Sequence, residues 1–289
     1  MEDTPLASLS LTHVYYNPND PLSYLCAWLA LVPQALCVVY ATLIWSTREA
    51  EVALMFAGQL ACEAVNFALK RLIKEERPRR IHLTGKGYGM PSSHAQFAFF
   101  WAVALALFLL ARHRPRGGGA VTREVATAAA EQEQEQHQRG EAGGRGRGNG
   151  AVSPGQRSVG KQDGAHTGLQ ALNRTIEEYT HKPWSASERA AVSLLAFALA
   201  GLVAWSRVYL GYHTPKQVVV GCAAGALSAV AWFGATYVVR DLGLLAWALQ
   251  IPLARWLRLR DLVVEEDLCQ AGWEKWESLR RAKKLKKTA

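Results

Sequence analysis

Five apolar runs, each about as long as a bilayer's hydrocarbon core is thick, restrict this chain more tightly than any other feature. They fall at about 22–46, 51–73, 93–111, 190–208 and 215–239. A helix needs roughly 20 residues to cross the ~30 Å core. In lipid every backbone N–H and C=O must be paired within the segment, so each run is expected to be an α-helix. The predicted architecture is therefore all-α, a multi-pass transmembrane helical bundle of about five spans. A sixth apolar stretch, 242–257, is interrupted by Pro252 and Arg255 and reads as an interfacial helix.

The polar segments between the runs set the organisation. Residues 1–111 form the first half of the membrane domain with spans one to three. Residues 112–188 contain EQEQEQHQRG and EAGGRGRGNG and few large apolar side chains, so the segment is expected to be a largely disordered insert. Residues 189–257 form the second half, and 258–289 a basic tail that reads as helical. The net charge of +9 sits largely in the insert, the tail and one short loop. Basic segments flanking apolar spans point to anionic headgroups and topology control, not to nucleic acid. Of the five cysteines, Cys26, Cys37, Cys62 and Cys222 lie in apolar runs and Cys269 in the tail, without zinc or disulfide spacing. Residues 1–20 are polar with two prolines, so the first span is expected to serve as its own signal. Counting crossings puts the insert and the tail on one face. Their Lys and Arg content makes that face cytosolic by the positive-inside rule.

Three polar clusters fall at helix ends on the opposite face: Lys70-RLIKEE-Arg77-Pro78, Pro91-Ser92-Ser93-His94, and Ser206-Arg207-VYLGY-His213. They supply three permanent cations, hydroxyls, two imidazoles and two helix N-termini. All but the imidazoles bind anions, and phosphate is the obvious one. Both helix starts have the form of a capping box, Ser93-His94-Ala95-Gln96 and Thr214-Pro215-Lys216-Gln217, the second with Pro215 at the first helical position. Any one of Lys70, Arg77 or Arg207 alone would be read as an interfacial anchor. Their convergence on one face with two histidines favours a site.

K-x6-RP, PSxH and SR-x5-H, in this order and spacing, resemble the three signature motifs of the type 2 phosphatidic acid phosphatase superfamily, and LTHVYY, YGMPSSHAQF and SRVYLGYHTPKQVVVG extend the resemblance over most of the chain outside the insert. The resemblance implies a membrane bundle of the phosphatase/haloperoxidase type and a metal-independent hydrolase without cofactor. It implies His213 as a nucleophile that forms a phosphohistidine. His94 would protonate the leaving oxygen and then activate water. Lys70, Arg77, Ser92, Ser93 and Arg207 would hold the phosphoryl oxygens. No Asp/Glu cluster with metal-site spacing accompanies them. Within the superfamily the likeness is nearest to the branch acting on a polyprenyl (dolichyl) diphosphate lipid. That branch implies an endoplasmic reticulum membrane protein, with the site facing the lumen and the insert and tail cytosolic, recycling the lipid carrier of protein N-glycosylation. No protein partner is deducible.

Two positions depart from the superfamily pattern. Ser93 stands where Gly is usual, and Gln217 where Asp is usual. A neutral amide orients an imidazole without stabilising its cation. Gln217 thus implies a weaker nucleophile, suited to the good leaving group of a diphosphate. Glu63 and Asn66 lie on the Lys70 face of the second span, deeper in the membrane. Interhelical hydrogen bonding accounts for them, and the sharper alternative is that Glu63 supports the site from below. His13, His82, His113, His137, His166 and His181 read as solvated. Rival functions are a phosphatase for another lipid phosphate, and a non-catalytic scaffold or flippase.

Overall fold

The computed structural model describes residues 7–9, 14–78, 88–113, 184–265 and most of 267–280. A short ribbon pairs β1 (Ala7–Leu9) with β2 (Val14–Tyr16) antiparallel. The helices are α1 (Pro21–Leu29), α2 (Val32–Thr47), α3 (Ala50–Ile73) and α4 (Ser93–Leu107), the last running into a π-turn over Phe108–Arg112. They are followed by α5 (Ala186–Tyr209), α6 (Pro215–Asp241), and the short α7 (Leu244–Gln250) and α8 (Pro252–Trp256). Among the described residues five segments are long and apolar enough to cross a membrane: Pro21–Thr47, Ala50–Ile73, Ser93–Arg112, Ala186–Tyr209 and Pro215–Asp241.

The expected first span is one crossing made of two helices. Pro33, in the first turn of α2, has no N–H to donate, and its ring excludes the carbonyl of a preceding helical turn, so α1 ends at Leu29 and a new helix starts. The fourth span begins earlier than expected. Ser185 and Glu188 form a capping box there, so the bundle resumes at residue 186. The rest of the expected disordered insert, 114–183, lies outside the described residues, as do His13, His82, His137, His166 and His181. Helices α7 and α8 bury no residue and are too short to cross a bilayer. In the tail, described by itself, Ala271 N–H bonds to the Asp267 carbonyl and the Trp273 and Trp276 rings stand 4.9 Å apart.

Helix α4 is the hub and packs chiefly on α6 and α5, then α3. Its buried Ala95, Ala98, Ala102, Ala104 and Ala106 leave little between backbones. On α6, Gly221, Gly225 and Ala229 recur every four residues toward α4. Lipid offers no hydrophobic drive for helix pairing, so such small-residue stripes gain contact by close approach. A Cβ at Gly225 would lie 2.2 Å from the Gln96 carbonyl oxygen. Gln96 also joins α4 to α3. Its Nε2 donates to the Cys62 carbonyl at 2.9 Å, and its Oε1 accepts from Asn66 Nδ2 at 2.7 Å. Asn66 is thus the interhelical hydrogen-bonding group expected of it.

The end of the bundle away from the three clusters is closed by ion pairs. Buried Glu51 meets Arg112 and Arg240, and Arg240 also meets Asp261. Buried Glu49 meets Arg260 and accepts from the Leu262 and Val263 amides. His113, expected to be solvated, is buried in this clasp, with Nδ1 2.7 Å from the Val263 carbonyl. The π-turn carries the helix past residue 111 and brings Arg112 and His113 inward.

Candidate active site

The three clusters lie at one end of the bundle: the C-terminus of α3, the N-terminus of α4 and the α5–α6 turn. Arg207 sits in the last turn of α5 and is 3% exposed. Its carbonyl accepts from the Tyr212 and His213 amides at 3.0 and 3.2 Å, so the turn folds back over the helix end. Gly211 makes this reversal with a φ of 73°, in the left-handed region that glycine enters without strain. The Tyr212 ring lies under the Arg207 guanidinium at 4.2 Å, and its hydroxyl accepts from Tyr15 N–H at 2.8 Å. The β-ribbon thereby holds the tyrosine that holds the arginine. Sequence reasoning missed this role of Tyr212. The only signal was an aromatic residue directly before His213.

Arg207 Nε and Nη1 and Ser92 Oγ are buried and have no hydrogen-bond partner among the described residues. Buried donors without partners are costly, commonly 1–3 kcal/mol each or more for charged groups. They persist where a ligand satisfies them. Ser92 is the N-cap of α4, and its side chain caps no amide. The capping box expected at Ser93 is absent, because Ser93 is the first helical residue and Gln96 uses its side chain on Asn66 and Cys62. That leaves Ser92 Oγ and the first amides of α4 for an anion.

The second expected capping box is present. Thr214 Oγ1 accepts from Gln217 N–H at 3.2 Å, Gln217 Oε1 accepts from Thr214 N–H at 3.2 Å, and Pro215 opens α6. Gln217 is fully buried and does more than cap. Its Nε2 donates to Glu75 Oε1 at 3.1 Å and to the Glu76 carbonyl at 2.8 Å. Those two acceptors fix the amide orientation, so Oε1 faces His213 Nδ1 at 3.3 Å. An amide oxygen only accepts, so Nδ1 carries the ring proton and Nε2 is left with its lone pair.

His213 is buried, and its pKa is lowered to about 3. Burial is the first cause, followed by the positive charges of Arg207 and Arg77, with Lys70 a smaller contributor. The imidazole is therefore neutral at physiological pH and able to act as a nucleophile. His94, in the first turn of α4, interacts with Arg207, His213 and Lys70, and its ring engages the Ala30 backbone where the first span breaks. Among the candidates, Lys70, Arg77, His94, Arg207 and His213 thus share one electrostatic neighbourhood. Arg77 is exposed at its edge, and Ser93 is half-buried at the helix start. Glu63, two turns before Lys70, feels the Lys70 charge, and its Oε1 is buried with no partner among the described residues. Among the described residues no group of three His, Cys, Asp or Glu side chains is placed to hold a metal. The site can hold a multiply charged anion against a neutral imidazole, with a second imidazole nearby for proton transfer.

The family profile described as the PAP2 superfamily matches residues 51–240. The "Putative dolichyldiphosphatase" of Neurospora crassa is 71% identical over 282 residues, covering 97% of this chain and 95% of that protein. The dolichyldiphosphatase 1 of Dictyostelium discoideum is 28% identical over 99% of this chain and 95% of that protein. That of Homo sapiens is 32% identical over 78% of this chain and 69% of that protein. No solved structure matches.

Proposed function

The chain belongs to the PAP2 superfamily, and from that premise we propose that it hydrolyses dolichyl diphosphate to dolichyl phosphate and inorganic phosphate. One observation carries the chemistry: a buried neutral His213, its Nδ1 turned to Gln217, beside donors of Arg207 and Ser92 that have no partner among the described residues. Lys70, Arg77 and Arg207, with Ser92 and the Ser93 amide, hold the terminal phosphoryl oxygens. Preorganised donors of this kind are commonly the largest single contribution to phosphoryl transfer. His213 Nε2 attacks the terminal phosphorus and forms a P–N bond as the P–O bond to the lipid phosphate breaks. His94 protonates that departing oxygen. Water activated by His94 then cleaves the phosphohistidine, releases phosphate and restores neutral His213. No step calls on a metal ion.

The relatives' names and the site's three cations, which match the charge of a diphosphate, support this choice of lipid. In the bilayer the polyprenyl chain lies beside the bundle, and only the headgroup reaches the helix ends. The bundle is the phosphatase domain, joined by Arg112, His113, the first turn of α5 and residues 260–263, with the stretch between its halves a cytosolic insert and the chain after it a cytosolic tail. The site faces the endoplasmic reticulum lumen, where the reaction returns the carrier lipid released by N-glycosylation. Purified protein assayed on dolichyl diphosphate, dolichyl phosphate, phosphatidate and diacylglycerol diphosphate tests the assignment. Release from dolichyl diphosphate should exceed the others at least ~10-fold, which corresponds to ~1.4 kcal/mol in transition-state binding. A stronger rate on phosphatidate would reassign the substrate.

A further inference from the structure

The superfamily's carboxylate beside the nucleophilic histidine is replaced here by Gln217, yet the structure retains a carboxylate one residue further back. We infer that Glu75 is a positioning residue for His213 that acts through the Gln217 amide. This rests on the assignment of His213 as nucleophile. The chain of contacts is continuous: His213 Nδ1 to Gln217 Oε1 at 3.3 Å, then Gln217 Nε2 to Glu75 Oε1 at 3.1 Å. Gln217 is fully buried between them and cannot rotate without losing the Glu76 carbonyl and the Thr214 amide as well.

An amide is a polarisable relay. A negative charge accepting from its N–H group draws electron density toward its oxygen, and hydrogen bonds in such a chain strengthen one another. The Gln217 oxygen therefore becomes a better acceptor for His213 Nδ1–H as positive charge grows on the ring during attack. Glu75 is kept anionic for this. Hydrogen bonds from Lys216 Nζ, at 3.0 Å, and from Gln217 hold its pKa below the ordinary carboxylate value. Its backbone is fixed too, since Gly89 N–H donates to the Glu75 carbonyl at 2.7 Å. Gly89 also makes room for the relay, because a Cβ there would lie 2.9 Å from Gln217 Nε2 and 3.0 Å from Oε1.

The same geometry changes what an aspartate at position 217 would do. It would set a second carboxylate toward Glu75, and two like charges at such range disfavour ionisation of both. Gln217 and Glu75 together thus replace the single carboxylate, and Gln217→Asp should lose activity unless Glu75 is neutralised as well.

The test uses full-length enzyme in detergent and measures kcat and KM on dolichyl diphosphate together with thermal stability. Glu75→Gln keeps the side-chain size and removes the charge. It should lower kcat about 10-fold, leave KM within about 3-fold and leave the melting temperature unchanged, the pattern of an interaction made only in the transition state. Glu75→Asp should recover part of the loss. In a Gln217→Ala background, Glu75→Gln should cost less than about 2-fold more, because the relay is already cut. Wild-type kcat in Glu75→Gln, or an undiminished loss in the Gln217→Ala background, would overturn the inference. His213→Ala separates the two levels. If it keeps turnover, the nucleophile assignment falls and this inference with it. If it is inactive while Glu75→Gln is normal, only the role of Glu75 falls.

Discussion

Replacing Gly225 and Gly234 of α6 by alanine should have opposite outcomes on one helix. At Gly225 the new Cβ would stand 2.2 Å from the Gln96 carbonyl oxygen and 3.0 Å from both Gln96 C and Phe100 N. The nearest contact is about 1 Å too short, and backbone lies on both sides, so α4 and α6 must separate by a similar distance. Overpacking of this kind costs roughly 1–3 kcal/mol. The catalytic penalty should be larger. Helix α4 starts with Ser92 as its cap and His94 in its first turn, while α6 starts just after His213 and carries Gln217, so separation pulls the two histidines apart. A misplacement of ~1 Å can cost ~10²-fold in rate. Gly234 has nothing within 4 Å of its Cβ position. Alanine there should be neutral or favourable, by up to ~1 kcal/mol of helix propensity. The assay is phosphate release alongside melting temperature for both variants in the same detergent. Wild-type kcat in Gly225→Ala would refute the close packing of α4 on α6 and the positioning argument built on it.

Arg207→Gln removes a buried charged donor and should lower kcat ~10²–10³-fold, the usual cost of losing one preorganised oxyanion donor. His94→Ala should slow turnover ~10²–10⁴-fold, with loss of both leaving-group protonation and water activation. With its pKa lowered from 6.5 to about 3, His213 contributes stability that is complete above pH ~6.5 and declines as pH falls toward 3. Histidine-selective NMR of the phosphate-free enzyme should find His213 uncharged at pH 5.5, and added phosphate should raise its pKa. An imidazolium signal from His213 at that pH would contradict the electrostatics. Deleting residues 120–175 should leave kcat in detergent within about 2-fold, since a segment of this composition builds no core. EDTA should not inhibit, and loss of activity restored by a divalent metal would exclude the metal-free mechanism.

The spans were legible because bilayer thickness fixes their length and lipid fixes their helicity. The Thr214 box was legible because capping is local, with all partners within three residues. Ser93 shows where local reading fails: Gln96 completes an S-x-x-Q box in sequence, but Asn66 and Cys62 on α3 compete for its amide. Competition across 30 residues leaves no local pattern. The break before Pro33 was visible as a residue, yet the uninterrupted hydropathy around it hid the change of helix. The close approach of Gly221 and Gly225 to α4 emerged only from the fold, since spacing on one helix names no partner. Arg112, Glu51 and Arg240 were scattered charges at span ends until the fold brought them together. Glu75 lay inside the first motif, where only Lys70 and Arg77 stood out. Its link to Gln217 spans 142 positions and needed coordinates.

The central claim is that the terminal phosphoryl group passes through His213. Enzyme quenched during turnover of dolichyl diphosphate labelled in its terminal phosphate tests this most directly. Wild type should carry acid-labile, base-stable label on a peptide containing His213, and His213→Ala should carry none and release no phosphate. Equal label on His213→Ala, or turnover by wild type with no label on His213 at any quench time, would contradict the account.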